Sequence, residues 1–469
     1  MTERIPLTAL LAMVLPACTM VGPDYQPPPE PQLESFSEAG ESGFGAAQLE
    51  IKWWRAFNDP VLDRLVELAL ADNPDLRVAT ARLREARAFR REIGYDRYPT
   101  VQTQADIVAG RDNELSVPPG SDRDFELFDA GFDAFWELDF FGRVRRQVEA
   151  RSAEEQAFEA DRRDVAVSLI AEVARNYIEL RGAQQRLDVA FSNAANQEET
   201  LHLTNMLLAG GRGNALDVAR AEAQLGLTRA SIYPLETLVR QSLHALAVLT
   251  GRPPGAVDGE LAAVAPIPEL PRIIGIETPA ELLRRRPDIR AAERRLAAFT
   301  AGIGIAVADL FPRVNLLGSA HLTAAIGSDL LAGDAVSMSI GPSITWLAAF
   351  DLARVRARIE QAEARAEGAF AQYERTVLAA LEDVENALVA FARERSRYAE
   401  LARSEHASTQ AARLARERYQ DGVATFLEVL DAERVQLAAQ DELVASQTAA
   451  AIALTALYKA LGGGWEDPG

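Results

Sequence analysis

Cysteine is nearly missing from this chain of 469 residues: Cys18 stands alone, so no intrachain disulfide and no cysteine-based zinc or iron–sulfur cage can form. Lysine is almost as scarce. Lys52 and Lys459 are the only two, and neither follows a phosphate-cradling glycine loop, which argues against nucleotide hydrolysis. The four histidines, His202, His244, His321 and His406, never fall within four residues of one another, so no helical metal-binding pair exists. No spaced set of His, Cys and acid points to an enzyme, and no cofactor or metal is expected. Positive charge is in deficit. The 49 basic and 69 acidic residues leave a formal charge of −20, the wrong sign for neutralising phosphates, so nucleic acid is not an expected partner. Long hydrophobic runs are absent too, and no helix is expected to cross a bilayer. What is present is ordinary globular content, 48% hydrophobic and 25% charged, and the chain is therefore expected to fold.

At the N-terminus Arg4 precedes an apolar stretch from Ile5 to Val14, followed by Leu15-Pro16-Ala17-Cys18, a pattern that predicts an export signal over residues 1–17. Leu-x-x-Cys resembles a lipobox, which makes Cys18 the expected acylated first residue of the mature protein. Thr19 in place of Asp fits sorting to the outer membrane. Gly22-Pro23-Asp24-Tyr25 and Pro27-Pro28-Pro29 predict an extended tether without helix, within an N-terminal segment of residues 18–58.

The rest of the chain is written twice. Asn73-Pro74-Asp75-Leu76-Arg77 is echoed 213 residues later by Arg286-Pro287-Asp288-Ile289-Arg290, and Tyr98-Pro99 by Phe311-Pro312. At an offset of 211, Gly142-Arg143-Val144-Arg145 matches Ala353-Arg354-Val355-Arg356, Gly211 matches Gly422, Asp217 matches Glu428, and Gly251 matches Gly462. An ordered series of this kind indicates a tandem duplication. The expected repeats span residues 59–252 and 280–462, with a proline-rich linker at 253–279 and a short tail at 463–469.

Periodicity changes twice within each repeat. Asp59 to Tyr98 reads as a helix or a helix pair, with Asp59 as cap and Pro60 at the first position. Alternation follows: Val101, Thr103, Ala105 and Ile107 oppose Gln102, Gln104 and Asp106, and after Gly131 the residues Phe132, Ala134, Trp136 and Leu138 oppose Asp133, Glu137 and Asp139. Repeat two matches with Val314, Leu316, Gly318, Ala320 and Leu322, then Val336, Met338 and Ile340 against Ser337 and Ser339. The predicted hairpins, about 100–140 and 313–350, have strands of about nine or ten residues, enough to cross a bilayer when tilted in a barrel. Trp136 and Trp346 fit either an interfacial belt or plain hairpin packing. Arg145 to Ala209 and Arg354 to Gln420 are then helical stretches that would each extend on the order of 100 Å if continuous. Each ends in a glycine turn, Gly210-Gly211-Arg212-Gly213 or Asp421-Gly422, before a returning helix of about 35 residues. Four strands cannot close a barrel, and open edges cannot face lipid, so several copies must share one.

Three segments, Val21-Gly22-Pro23-Asp24-Tyr25 after Cys18, Trp53-Trp54-Arg55-Ala56-Phe57-Asn58-Asp59-Pro60, and Leu282-Leu283-Arg284-Arg285-Arg286-Pro287-Asp288-Ile289-Arg290, resemble the outer-membrane factors of tripartite efflux systems of the TolC and OprM type, in the lipoprotein, NodT-like branch. The resemblance implies a mainly α fold with a small β part. A homotrimer would share a twelve-stranded outer-membrane barrel, continued by an α-helical barrel into the periplasm. It implies a passive duct for small molecules, working with a periplasmic adaptor protein and an inner-membrane RND-type pump and held to outer-membrane lipid through acylated Cys18. Protein secretion through the same duct, or a poreless coiled-coil lipoprotein, are the alternative readings.

The resemblance also places a periplasmic gate. Glu428 and Asp431 take the positions of two acidic residues that ring the narrowest point, and spacing of three puts both carboxylates on one helix face. Repeat one has Asp217 and Arg220 at the equivalent places, and Arg220 is expected to latch the closed tip by pairing with Glu428 or Asp431. Tyr419, Gly422 and Val423, together with Gly211, are the expected adaptor-docking tips. Two departures stand out: Ala424 replaces a basic residue that some members carry, and Asp351-Leu352-Ala353 replaces a glycine pair where strand turns into helix.

Overall fold

The computed structural model describes residues 20–29, 35–38, 44–45, 50–271, 274–275 and 278–465. The expected export signal, Cys18 and the last four residues of the tail lie outside the described residues. The fold divides into two units. One, here the strand unit, comprises residues 20–28, 82–159 and 291–374; the other, the helical unit, comprises 29–81, 160–290 and 375–465.

Asp59 accepts hydrogen bonds from the Val61 and Leu62 N–H groups, so α1 (Pro60–Asp72) starts where the cap and proline place it. Asn73 then separates it from α2 (Pro74–Tyr95) by accepting from Asp75 N–H and Leu76 N–H. The hairpin follows as β1 (Thr100–Arg111) and β2 (Asp124–Leu138), the latter beginning seven residues before Gly131 because Phe125 and Leu127 already alternate with Asp124 and Glu126. α3 (Arg143–Ala209) and α4 (Ala215–Leu249) are uninterrupted helices of 67 and 35 residues. Repeat two gives α5 (Pro279–Arg285), α6 (Pro287–Ala308), β3 (Arg313–Ala324), β4 (Val336–Thr345), α7 (Leu352–Gln420) and α8 (Phe426–Ala460). Both long helices begin two residues before the expected Arg145 and Arg354. At the Asp351 junction no glycine pair is needed: a 3-10 turn at Leu347–Ala349 leads in, and the Asp351 carboxylate accepts from Arg354 Nε.

α8 is long and apolar enough by length and composition alone to cross a membrane. Its apolarity comes largely from alanine, and Ala451, Leu454, Leu457, Tyr458 and Ala460 spend it inside the helical unit's core.

That core gathers on a 3-10 turn, Trp53–Phe57. Trp53 is fully buried, stacks on Tyr458 with ring centroids 5.1 Å apart, and meets Trp54 and Phe57 edge-on. Tyr177 OH donates to Asp59 at 2.7 Å, which ties α3 to the cap of α1, and burial with this bond pushes the Tyr177 hydroxyl up to about 12. The two repeats close their returning helices alike. Asn73 Nδ2 donates to the terminal carbonyl of Leu249, and Arg286 Nη1 donates to that of Ala460. Gly251 and Gly462 follow at φ +72°, and at Gly251 a Cβ would sit 2.6 Å from the Asp72 carbonyl oxygen.

In the strand unit the sheet order is β1-β2-β3-β4, antiparallel throughout, with β1 and β4 as edges. Register sorts the side chains into two faces. Rows such as Thr103, Phe132, Ala320 and Met338 form a largely apolar face, and rows such as Gln104, Gly131, His321 and Ser337 form a more polar one, which also carries Phe135 and Leu317. Val101, Ile107, Phe132, Met338, Ile340 and Ile344 are exposed. The indole N–H groups of Trp136 and Trp346 donate to the carbonyls of Arg97 and Leu310, matched places at the ends of the two hairpins.

The expected tether is extended, as its prolines require, yet it is docked. Val21 N–H donates to the Phe141 carbonyl, and the fully buried Arg146 donates to the carbonyls of Val21 and Gly22 and pairs with Asp24 at 2.7 Å. Gly22 has φ +82°, and a Cβ there would fall 2.4 Å from Gly304 Cα, so only glycine fits. Tyr25 OH donates to Glu293, and the Arg294 guanidinium lies over the Tyr25 ring.

Candidate gate and docking tips

The residues expected at the gate all lie in the helical unit, on two helix–turn–helix tips. At the first, Gly211 has φ +73° and the Arg212 N–H donates to the Leu207 carbonyl; at the second, Gly422 has φ +75° and Val423 N–H donates to that of Arg418. These bonds satisfy the last carbonyls of α3 and α7, which is why glycine stands at both places. A Cβ at Gly211 would meet nothing within 4 Å, and one at Gly422 only Arg212 Nη2 at 3.8 Å. Val423 is exposed. Both turns are thus open to a partner.

Asn214 caps α4 by accepting from Asp217 N–H, and its own amide donates to the Asp217 carboxylate at 2.8 Å. Arg220 Nη1 stands 3.9 Å from the same carboxylate. Thr425 opens α8. Its N–H and hydroxyl both donate to Glu428 at 3.1 Å, which holds that carboxyl below the usual carboxylate range. Asp431 pairs with Arg434 at 2.9 Å, one turn along. Tyr419 packs its ring on Phe426, 5.7 Å between centroids, within a cluster that brings Ala221 of α4 against Phe426 and Val429 of α8. Burial, then the nearby Asp217 charge, raises the Tyr419 hydroxyl above its ordinary value.

The fold therefore brings Asp217, Tyr419 and the first turn of α8 together. Among the described residues Arg220 is bonded to neither Glu428 nor Asp431 within the chain; each gate carboxylate is held by its own helix. Three contributors escaped the sequence reading. Arg434 could have been found from its spacing of three after Asp431. Arg212 sits beside Gly422 across the fold, which no local pattern reveals. The third is a buried layer above the tip, where Glu433 accepts from Thr200 Oγ1 at 3.0 Å and burial lifts its carboxyl above the ordinary value. Arg416 Nε lies 3.0 Å from the same carboxylate, close enough for an ion pair but off-line for a hydrogen bond.

What this arrangement can do is electrostatic. It offers the carboxylates of Asp217, Glu428 and Asp431 beside two glycine turns. Among the described residues no group of His, Cys, Asp and Glu is placed to hold a metal ion.

The family described as outer membrane efflux protein matches residues 65–252 and 278–463, so the two matched stretches coincide with the two repeats. Outer membrane protein OprJ of Pseudomonas aeruginosa is 34% identical over 98% of this chain and 95% of its own length. Nodulation protein T of Rhizobium leguminosarum bv. trifolii is 32% identical over 98% and 97%. Among solved structures, the outer-membrane channel OprN superposes with a TM-score of 0.90 at 44% identity, covering 95% of this chain and all of that one. The open state of the Neisseria gonorrhoeae MtrE outer membrane channel gives 0.84 at 30% identity, covering 95% and 98%. With both repeats matched and the fold shared over nearly its whole length, the chain belongs to the outer membrane efflux protein family, as an outer-membrane channel of an efflux system.

Proposed function

We propose that three copies form one passive duct that performs no chemistry of its own. Each copy would contribute four strands to a twelve-stranded barrel, with α3, α4, α7 and α8 lining a periplasmic tunnel. The observation that carries this reading is the sheet: one face carries exposed apolar side chains, the other carries Asp106, Asp129, Asp133, His321 and Ser337 beside a smaller number of apolar side chains, and among the described residues both edge strands are unpaired within the chain. Such a sheet is satisfied only when neighbours pair the edges, lipid covers the apolar face and water fills the polar side. An inner-membrane pump of the RND type would supply energy and choose cargo. A periplasmic adaptor would dock on the tips at Gly211, Tyr419, Gly422 and Val423, and acylated Cys18 would anchor the assembly in the outer membrane.

At the tip, Glu428 and Asp431 from three copies would gather six carboxylates around one axis, a ring that attracts cations. Arg220 would close the ring by reaching a carboxylate of a neighbouring copy. Glu428 is the better-held charge, because the Thr425 N–H stabilises its ionised form to lower pH than an ordinary glutamate. The cap's contribution to stability is present above the unfolded-state pKa and is lost as acidification protonates the carboxylate.

The test is the ion preference of single channels in planar bilayers. Glu428→Gln retains a side-chain acceptor for the cap, so Glu428→Gln with Asp431→Asn is expected to leave folding intact while lowering the cation-to-anion permeability ratio by about threefold or more. Unchanged selectivity in a folded, conducting variant would remove both residues from the constriction.

A further inference from the structure

The polar face of the sheet holds a charged cluster far from the tip in sequence. His321 on β3 lies between two carboxylates of β2, with Nδ1 2.8 Å from Asp129 Oδ1 and Nε2 3.2 Å from Asp133 Oδ1. Thr323 Oγ1 donates to the second oxygen of Asp129 at 2.7 Å. One strand further, Asp106 of β1 stands in register with Asp129, and Gln104 with Gly131. On the other side β4 offers only hydroxyls, with Ser337 opposite His321 and Ser339 opposite Ser319. The charged groups on this part of the face are thus three acids and one imidazole. Glu137, lower on β2, is already neutralised by Arg143.

Hydrogen-bonding capacity makes the arrangement informative. Both ring nitrogens face carboxylate oxygens that can only accept, and a neutral imidazole has a single N–H to give. The charge that His321 carries is therefore coupled directly to the two acids that enclose it.

We propose that His321 sets the ion preference of the barrel section of the duct, by offsetting the acidic band of Asp106, Asp129 and Asp133 to a degree that follows the charge on its ring. The band faces the water-filled side for the same reason that the apolar face meets lipid. Three copies place nine carboxylates and three imidazoles around the lumen. Protonation of the imidazoles removes a third of the net negative charge, and deprotonation restores it. The barrel section then has a selectivity of its own, independent of the tip. This inference rests on the shared-barrel reading but not on the assignment of Glu428 and Asp431.

The experiment is the reversal potential of single channels under a KCl gradient, measured between about pH 5 and about pH 9, across the ordinary imidazole titration. All proteins carry Glu428→Gln and Asp431→Asn, so that the tip cannot mask the barrel. With His321 present, the cation-to-anion permeability ratio is expected to rise by about twofold or more from the acid to the alkaline end. His321→Gln is expected to hold the high ratio at every pH, and His321→Lys the low one. Asp129→Asn with Asp133→Asn is expected to lower the ratio at every pH. A pH dependence that survives in His321→Gln, or one ratio shared by all four proteins, would overturn the proposal. Failure of the tip variants in the preceding test would leave this result readable, because it compares proteins with the same tip.

Discussion

Arg286→Ala is expected to destabilise the helical unit by about 3 kcal/mol, the range seen when one partner of a buried charge network is removed. The Arg286 side chain is 12% exposed and its guanidinium has four partners. It pairs with Asp288 at 2.7 Å and with Asp383 at 3.1 Å, and it donates to the carbonyls of Ala460 and Ala380. Alanine would remove the guanidinium that both Asp288 and Asp383 share and would take the side-chain donor from the last carbonyl of α8. It would also open the wall of a cleft of about 410 Å³, which Asp164 and Lys459 share. Burial already holds the Asp164 carboxyl above its ordinary value, with the Asp288 charge adding to this and Arg286 opposing it. Arg286→Lys is expected to recover little, because an ammonium cannot reproduce the two-pronged contact with Asp288 while reaching Ala460. Thermal and urea denaturation of the purified protein would check both variants. Equal stability of wild type and Arg286→Ala would mean that the arginine-rich segment serves something other than the closure of α8.

Trp53→Ala is expected to cost about 3–5 kcal/mol, the range for truncating a large buried aromatic side chain. The indole is wholly buried, stacked on Tyr458 and flanked by Trp54 and Phe57, so truncation leaves a cavity that three rings border. Its N–H has no hydrogen-bond partner among the described residues. Trp53→Phe should therefore cost much less than Trp53→Ala, since it keeps an aromatic surface and deletes an unsatisfied donor. If the two variants lost the same stability, the indole N–H rather than ring packing would be the contribution that matters. Urea midpoints followed by tryptophan-independent far-UV dichroism separate the cases.

These two residues also mark how far the sequence could be read. The Trp53-Trp54 pair and the arginine-rich segment were legible as motifs, and the duplication placed Asn73 opposite Arg286. Nothing local said that both side chains reach the end of a returning helix, because Leu249 and Ala460 lie more than 170 residues further along the chain. Long helices, glycine turns and strands were visible because each carries its own periodicity or backbone requirement. Strand ends were less visible: β2 begins at Asp124, where alternation runs on through residues that also suit a loop. The sequence predicts the segment at Val21 to Tyr25 only as an extended tether and does not show its docking, since its partners Arg146, Gly304 and Glu293 come from both repeats. α8 is apolar through its alanines, and its geometry makes it a core helix.

At the tip the spacing of Glu428 and Asp431 located two acids on one face, and the structure adds what holds each of them. Glu428 serves the cap of α8 and is also the residue proposed for the ring, so one carboxylate is a local helix signal and a proposed lumen charge. An acid in the first turn of a helix is favoured by the helix dipole in any case, so its position alone does not single out a gate. The latch by Arg220 needs a second copy, and one chain's sequence carries no pattern for a contact between copies.

The most direct test of the whole account is the single-channel current of the mature, acylated wild-type oligomer in a planar bilayer. A shared barrel continued by a tunnel predicts discrete, long-lived openings that prefer cations. Folded oligomers that insert in the bilayer and pass no current at either polarity, in the wild type and in Arg220→Ala alike, would contradict a duct and leave a tethered helical spacer.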